Sequence, residues 1–225
     1  MAGVVKQGRF PTYAPVRGQP RRSIRGITSS LSEVDTALHS KEGTTEATAQ
    51  PNREGGPIRL RMPRAEDGPR VSGLIAASPP LDVNSAYCNL LQCTDFRETC
   101  VVAERAGKLL GWISAYRPPA EPGRLFVWQV AVHPDARGEG LALGMLEALL
   151  ARPAAAGATT LSTTVTADNR ASWALFEAFA RGHGATLTKS PRFQRETHFA
   201  GAHDTEWEAC ISPLPDISKQ NGAIP

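Results

Sequence analysis

The chain has 225 residues, with 25 Lys and Arg against 22 Asp and Glu, so its formal net charge at pH 7 is +3. That length allows one domain, or one domain and a tail. All of the net charge lies in residues 1–57, which hold eight Lys or Arg and five Asp or Glu; the remainder holds 17 of each. A neutral remainder argues against a nucleic-acid binder. No run of 18 apolar residues that could span a membrane occurs in the sequence.

Residues 1–57 are predicted to form a disordered N-terminal tail. They are rich in Gly, Pro, Ser, Thr and Arg and have almost no periodic apolar residues, so they bury too little surface to offset the entropy of ordering. They contain no apolar stretch long enough for a secretory signal. A transit peptide and an over-extended translation start both remain open. The folded domain is predicted over residues 58–213, and residues 214–225 are predicted to be a flexible C-terminal tail.

The first predicted elements are a strand at residues 58–61 and a helix from 63 to about 77, which Pro79-Pro80 ends. Three strands follow as a meander. Residues 98–103 and 109–116 are joined by a charged, glycine-containing turn that is typical of a hairpin, and the third strand is predicted at 124–132.

A helix is predicted next, over residues 141–155. Its apolar residues fall at the i, i+3, i+4, i+7 spacing of a core-facing stripe, namely Ala142, Met145, Leu146 and Leu149. Residues 159–166 are mostly β-branched, which predicts a strand. A second helix is expected at 169–181, and two late strands at 185–187 and 205–211.

The segment Arg137-Gly138-Glu139-Gly140-Leu141-Ala142 opens the first of these helices. Unpaired N–H groups and the helix dipole make such a junction a binding site for phosphate. A Walker A loop would need Lys and Ser or Thr after Gly140, and a dinucleotide fingerprint would need Gly in place of Leu143. The pattern Arg/Gln-x-x-Gly-x-Gly/Ala is met by Arg137, Gly140 and Ala142.

This pattern resembles the coenzyme A loop of the GCN5-related N-acetyltransferase (GNAT) superfamily, and the resemblance covers about residues 58–212. It implies an α/β fold with a central mixed, mostly antiparallel sheet flanked by helices, in the order β-α-(α)-β-β-β-α-β-α-β-β with an optional second helix, and acetyl-CoA as cosubstrate. For Asn169, capping of the following helix is the alternative to a cofactor contact. The cofactor-binding residues implied are Val130, Val132, Arg137, Gly138, Gly140, Leu141, Ala142 and Asn169.

Within that superfamily, four segments resemble the L-2,4-diaminobutyrate acetyltransferases. They are residues 81–91, 126–132, 168–176 and 198–206. The resemblance implies acetylation of the 4-amino group of L-2,4-diaminobutyrate, a step of ectoine biosynthesis, which serves osmoprotection. The residues that it implies for the diamine pocket are Asp82, Tyr87, Trp128, His203 and Glu206. Carboxylates suit the ammonium groups of such a substrate, and aromatic rings offer faces to a cation. His203 and Glu206 are the implied catalytic proton acceptors.

Two features depart from the family pattern. The acidic residues after His203 are rearranged to Asp204-Thr205-Glu206, and Phe176 stands where many acetyltransferases have a Tyr that protonates the departing thiolate. Water, another group or release as a free thiolate would replace that acid. A covalent acetyl-enzyme on Cys88 is the mechanistic alternative. Acetylation of another small-molecule or protein amine, and a non-catalytic coenzyme A-binding domain, are the functional alternatives.

Four cysteines occur without a Cys-x-x-Cys pair, at Cys88, Cys93, Cys100 and Cys210. We therefore expect reduced thiols in a cytoplasmic protein and no metal site. The expected partner is the small diamine, without nucleic acid or membrane, and a homodimer is left open.

Overall fold

The computed structural model describes residues 56–79 and 81–215. Residues 1–55 and 216–225, which hold nearly all of the two predicted tails, lie outside the described residues. Leu214 is buried, and its N–H donates to the carbonyl of Thr159 at 2.9 Å. The packed chain therefore continues one residue past the predicted end of the domain.

The elements follow the predicted order, with one additional short helix. They are β1 (Arg59–Arg61), α1 (Gly68–Ala76), α2 (Ala86–Cys93), β2 (Val101–Arg105), β3 (Lys108–Tyr116), β4 (Arg124–Val132), α3 (Leu141–Leu150), β5 (Thr160–Thr166), α4 (Arg170–Gly182), β6 (Thr186–Phe193), α5 (Arg195–Phe199) and β7 (Glu206–Ser212). None of the helices in the described part of the chain is long and apolar enough to cross a membrane.

The strands form one seven-stranded sheet in the order β1-β2-β3-β4-β5-β7-β6. Only the β4–β5 pairing is parallel, and the other strand pairs of this sheet are antiparallel. The predicted hairpin between β2 and β3 is confirmed. Its two turn residues, Ala106 and Gly107, have φ angles of 47° and 78°, the backbone sign that matches the twist of a two-residue hairpin.

Helices cover the sheet from both sides. On one face α3 and α4 pack over the inward residues of β2–β5 and β7, in a core that includes Val127, Met145, Leu161 and Phe179. On the other face, a smaller core forms around Trp112 beneath α1 and α2. Side chains alternate along a strand, so Thr164 of β5, between the core residues of the first face, points to the second. The part of the second face around Thr164 carries polar side chains and holds the candidate site.

Two predicted elements end at different places. The helix predicted over 141–155 stops at Leu150, because Pro153 follows and Arg152 takes an extended conformation with ψ of 148° before it. Its buried stripe begins at Leu141, whereas Ala142 is only half-buried.

The strand predicted at 185–187 is much longer, since β6 extends to Phe193, and α5 was not predicted. The reason is that β6 is the outermost strand and is exposed along most of its length. It therefore lacks the alternation of apolar residues that reveals a half-buried strand.

Candidate functional site

The parallel strands β4 and β5 pair over only part of their length. The pairing runs from Arg124–Thr160 to Val127–Thr163, after which the strands separate. At the point of separation Trp128 forms a β-bulge, because its neighbours Val127 and Gln129 pair with consecutive residues of β3. A cavity of about 230 Å³ lies at this opening, which we call the β4–β5 cleft. Its lining includes Asp82, Trp128, Val130, Asn169, Phe176, His203 and Glu206.

The backbone of β4 also offers polar groups beside this cleft. The N–H of His133 donates to the carbonyl of Leu110 at 2.8 Å, which makes these two residues a hydrogen-bonded pair of the antiparallel ladder. Hydrogen-bonded and non-hydrogen-bonded pairs alternate, so Val132 and Val130 direct their N–H and C=O groups away from β3. Both valines thus offer backbone groups to an extended ligand lying beside β4.

The loop before α3 depends on two glycines with left-handed backbone conformations. Gly138 has a φ of 78°, and Gly140, the N-cap of α3, has a φ of 73°. A Cβ atom added at either position would meet nothing within 4 Å. The requirement for glycine at these two positions is therefore conformational and does not come from crowding by the protein's own atoms.

The side chains of the loop contribute less than its backbone. The Nε of Arg137 donates to the carbonyl of Val132 at 3.3 Å, on the surface. The side chain of Leu141 is buried in the core, while Ala142 lies in the first turn of α3. N–H groups in that turn lack partners within the helix, so these two residues can serve an anion through their main chain. Arg105 anchors the loop through Glu139, at 2.7 Å.

Asn169 fulfils the capping role and also lies in the cleft. Its Oδ1 accepts a hydrogen bond from the N–H of Ser172 at 3.1 Å, as an N-cap does. The same residue lines the β4–β5 cleft, next to the buried ring of Phe176. The cap thus leaves the amide Nδ2 as the group of Asn169 for a ligand.

Three of the residues predicted for the diamine pocket lie close together at one end of the cleft, which we call the acceptor end. The Nε2 of His203 lies 3.6 Å from the Oδ2 of Asp82 and 3.9 Å from the Oε1 of Glu206. The other ring nitrogen, Nδ1, lies 2.8 Å from the carbonyl oxygen of Asp204 and is placed to donate to it. This arrangement fixes the ring with Nε2 facing two carboxylates.

The surroundings raise the pKa of both central groups. The hydrogen bond to the carbonyl of Asp204 raises the pKa of His203 above its usual value, and the charges of Asp82 and Glu206 add to the effect. Burial raises the pKa of Glu206, against the opposing effects of a hydrogen bond from Thr164 and of the His203 charge. The pair therefore holds a proton more readily than isolated side chains would.

The main chain of Asp82 is held by a polar network that the sequence analysis missed. The buried amide of Gln129 donates to the carbonyl of Asp82 at 2.8 Å and accepts from Asn84 at 2.7 Å. Asn84 also donates to Asn89 of α2 at 3.2 Å. One signal was available, since Gln129 is the lone amide in the apolar run of β4.

The two aromatic residues predicted for the pocket occupy different positions. Trp128, 47% exposed, lines the cleft at the bulge. Tyr87 is 70% exposed on α2 and does not line that cavity. The structure thus brings Asp82, Trp128 and the His203–Glu206 pair together, while the role of Tyr87 stays a prediction.

The cysteines lie apart from this chemistry. All four are free thiols, and Cys93 and Cys100 are buried. Burial raises the pKa of Cys88, and that residue does not line the cleft, so the geometry gives no support to an acetyl-enzyme there. Among the described residues no group of three or more His, Cys, Asp or Glu is arranged to hold a metal ion.

The chain is similar in sequence to known acetyltransferases. The sequence profile of the Acetyltransferase (GNAT) family matches residues 65–180. The L-2,4-diaminobutyric acid acetyltransferase of Vibrio cholerae is 50% identical over 151 residues, which are 67% of this chain and 87% of that protein. The one from Methylotuvimicrobium alcaliphilum is 46% identical over 160 residues, 71% of this chain and 93% of that protein.

A solved structure extends the comparison to the fold. The diaminobutyrate acetyltransferase of Paenibacillus lautus, in complex with its substrate L-2,4-diaminobutyric acid and coenzyme A, is 39% identical with a TM-score of 0.68. The match covers 71% of this chain and 96% of that one. The mixed sheet, the cleft between β4 and β5 and these similarities lead to one conclusion: the chain belongs to the GNAT acetyltransferase family and, within it, to the L-2,4-diaminobutyric acid acetyltransferases.

Proposed function

We propose that this acetyltransferase moves the acetyl group of acetyl-CoA to the 4-amino group of L-2,4-diaminobutyrate and produces N4-acetyl-L-2,4-diaminobutyrate. The observation that carries the proposal is the group of Asp82, His203 and Glu206 at the end of the β4–β5 cleft. Two carboxylates around one imidazole suit a substrate with two ammonium groups, one of which must lose a proton before it can react.

The cofactor end of the cleft is assigned to coenzyme A. The backbone groups of Val130 and Val132 face the space beside β4, where an extended amide-containing arm can pair with them. The loop from Arg137 to Ala142, with Gly138 and Gly140 in left-handed conformations, places N–H groups for the pyrophosphate. Asn169 lines the same cleft and adds an amide.

At the acceptor end, His203 is assigned the proton transfer. An aliphatic ammonium has a pKa of about 10 and is a nucleophile only after it loses a proton. The Nε2 of His203 accepts that proton when the ring is neutral, and Asp82 and Glu206 stabilise the imidazolium that results. Glu206, whose carboxylate lies 3.9 Å from that nitrogen, is the alternative acceptor, directly or through water.

Backbone groups and the leaving thiol complete the reaction. The N–H of Val130, directed into the cleft, is placed to stabilise the negative charge that develops on the thioester oxygen. Phe176 is buried in the lining and has no proton to donate. The thiol of coenzyme A therefore leaves as a thiolate or takes a proton from water, which a thiol pKa of about 8.5 permits.

The cellular setting belongs to the same proposal. We propose that the product is an intermediate of ectoine biosynthesis, that the pathway serves osmoprotection, and that the enzyme acts in the cytoplasm. A homodimer is proposed as the assembly. Solution scattering or analytical ultracentrifugation of the purified chain would test the dimer, and a monomer at micromolar concentration would contradict it.

The activity is tested by incubating the full chain with acetyl-CoA and L-2,4-diaminobutyrate and locating the added acetyl group by tandem mass spectrometry. We expect acetylation at N4, with ornithine disfavoured about 10- to 200-fold because it is one methylene longer. Faster turnover of a protein N-terminus, lysine or a polyamine would replace the substrate assignment. Thermal stabilisation by acetyl-CoA without turnover of any amine would favour a non-catalytic domain.

A further inference from the structure

A second cavity adjoins the cleft on the same face of the sheet. It measures about 340 Å³ and shares Trp128 and Thr164 with the β4–β5 cleft. Its polar lining includes Gln92, Ser114 and Arg192, among aromatic side chains. We call it the Arg192 cavity. Because the two cavities meet at the bulge residue of β4, one small molecule can extend from one into the other.

Two polar side chains of this cavity are buried without satisfying their hydrogen bonds. Gln92 is 3% exposed and Ser114 is 1% exposed. Both polar atoms of the Gln92 side chain and the Oγ of Ser114 find no hydrogen-bond partner among the residues that the structure describes. Buried polar groups are nearly always paired in proteins. Both residues line the Arg192 cavity, so the missing partner is expected inside it.

Arg192 gives the cavity its charge. It is the one ionised residue in the lining that the structure describes for this cavity, and its guanidinium stacks against Phe126, with the central carbon 4.9 Å from the ring centre. Its Nη1 donates to Glu208 at 2.7 Å. Glu208 also pairs with Arg124, so one carboxylate is shared by two guanidinium groups. The remaining N–H groups of the Arg192 fork can bind a further anion.

Arg192 is aimed at this cavity by a bulge in the edge strand. Pro191 and Phe193 pair with the consecutive residues Trp207 and Glu206 of β7, which leaves Arg192 as the extra residue of β6. Glu206 therefore lines the β4–β5 cleft. Arg192, which pairs with Glu208 two residues further along β7, lines the neighbouring cavity. The two connected cavities have opposite charge, with carboxylates in the first and a guanidinium in the second.

We infer that the Arg192 cavity binds the α-carboxylate of an amino-acid acceptor, through Arg192, the hydroxyl of Ser114 and the amide nitrogen of Gln92. This inference rests on the proposed diaminobutyrate activity. Among the residues predicted for the diamine, Asp82 and Glu206 are carboxylates, and none is an Arg or Lys that could pair with the carboxylate of the substrate. Held at that end, the substrate presents its more distant nitrogen, N4, to His203. The Arg192 cavity therefore determines which nitrogen is acetylated.

A substrate pair separates this role from general binding. 1,3-Diaminopropane has the two amines of diaminobutyrate at the same separation and lacks only the carboxylate. We measure kcat/KM for both amines with the full-length protein and with Ser114→Ala, Gln92→Leu and Arg192→Gln. Each variant is expected to lose about 10- to 100-fold in kcat/KM for diaminobutyrate, as for a hydrogen bond to a charged group. Turnover of 1,3-diaminopropane should change less than about threefold.

Two controls distinguish a loss of carboxylate binding from misfolding or from a general loss of positive charge. Ser114→Ala and Gln92→Leu remove polar groups that have no partner in the described chain, so their Tm values should stay the same or rise while activity on diaminobutyrate falls. Lys189→Gln is the matched control for Arg192→Gln: it removes a cation from the same strand, one that pairs with Glu177 of α4 and does not line the Arg192 cavity. It should leave both substrates unaffected.

The outcomes distinguish this inference from the proposed function. A wild-type protein that does not acetylate diaminobutyrate removes the proposed function itself. A wild-type protein that acetylates it, but whose three variants lose equal activity on both amines, overturns only the carboxylate site. Appearance of N2-acetylated product in the variants, found by mass spectrometry, would support the assignment, since a loosened carboxylate lets the other nitrogen reach the thioester.

Discussion

The two ends of the β4–β5 cleft differ in the groups that they present, which are main-chain groups at one end and side chains at the other. At the cofactor end, we propose that recognition depends on the main chain: Val130 and Val132 turn their peptide groups away from β3, and Gly138 and Gly140 shape a loop within one short stretch of sequence. At the acceptor end, the proposed recognition depends on side chains from segments far apart in the chain, with His203 near Asp82 and Glu206.

The two ends should respond to different kinds of substitution. A backbone site is insensitive to most side-chain replacements and sensitive to a change in φ and ψ. A side-chain site is sensitive to charge and protonation. Substitutions at the two ends should therefore separate kinetically, into effects on acetyl-CoA binding and effects on amine turnover.

The largest effect is expected at the acceptor end. His203→Ala should lower kcat about 10²- to 10⁴-fold, as for loss of a general base, while the KM for acetyl-CoA stays nearly constant. Steady-state kinetics over pH 5–10 would measure both. His183→Ala is the control, because His183 pairs with Glu147 outside the cleft. If His203→Ala leaves the pH profile unchanged, then Glu206 or a chain of waters is the acceptor.

A smaller effect is expected at the cofactor end. Gly140→Val forces a β-branched residue into a φ of 73°, at a cost of about 1–3 kcal/mol, and should raise the KM for acetyl-CoA about 10- to 100-fold with little change in kcat. Arg137→Ala should change it less than about threefold, because its charge is exposed and screened. Calorimetric titration with coenzyme A would provide the affinities.

The matched control is Gly184→Val. Gly184 has a φ of 63° with nothing within 4 Å of an added Cβ, yet it lies between α4 and β6, away from the loop. It should lower Tm as Gly140→Val does and leave the acetyl-CoA affinity unchanged. Equal weakening by Gly140→Val and Arg137→Ala would mean that the loop acts through charge as much as through its backbone.

A change in pH dependence is the next expected effect. The pKa of His203 is raised first by the carbonyl of Asp204 and then by the charges of Asp82 and Glu206. A base acts only when unprotonated, so activity should fall as pH drops through this raised pKa. Asp82→Asn removes one raising charge, so the acidic limb of kcat should move to lower pH. Glu177→Gln, an exposed carboxylate on α4, should leave it in place. A shift to higher pH would exclude His203 as the titrating base.

The smallest effect is expected from the N-terminal segment. A shortened chain that begins at Gly55 should keep the same kcat and the same Tm, since both ends of the cleft are formed by residues from Leu81 onward. Thermal melting and the acetylation assay would measure both. A fall in Tm of several degrees, or a loss of turnover, would show that residues 1–54 contribute to the domain and not only to a tail.

The sequence predicted the strand and the helix that flank the proposed cofactor end. The strand at 124–132, the loop from Arg137 to Ala142 and the start of α3 lie close together in the chain, and their glycines and apolar periodicity are local signals. Most of the outer strand β6 and the helix α5 escaped prediction for the converse reason. The conformation of β6 depends on pairing with β7, and the exposed residues of both elements need no regular apolar pattern.

The residues of the acceptor end could be predicted only in part from the sequence. Resemblance to a family singled out Asp82, Trp128, His203 and Glu206. No local pattern could indicate that the carboxylates of Asp82 and Glu206 both lie within 4 Å of the His203 ring. Gln129, Ser114 and Arg192 were missed, because a buried amide, a strand serine and an edge-strand arginine have no periodic signature.

Local chemistry thus predicted the loop from Arg137 to Ala142, the helices α1, α3 and α4 and the central strands, since backbone conformation and alternation are properties of neighbouring residues. Tertiary structure alone decided which charges face one another. Bulges at Trp128 and Arg192 turn side chains from β4 and β6 toward adjoining cavities, and burial then shifts the pKa of Glu206. Distance, burial and solvent exclusion are properties of the folded chain, and they set the electrostatics on which the proposed proton transfer depends.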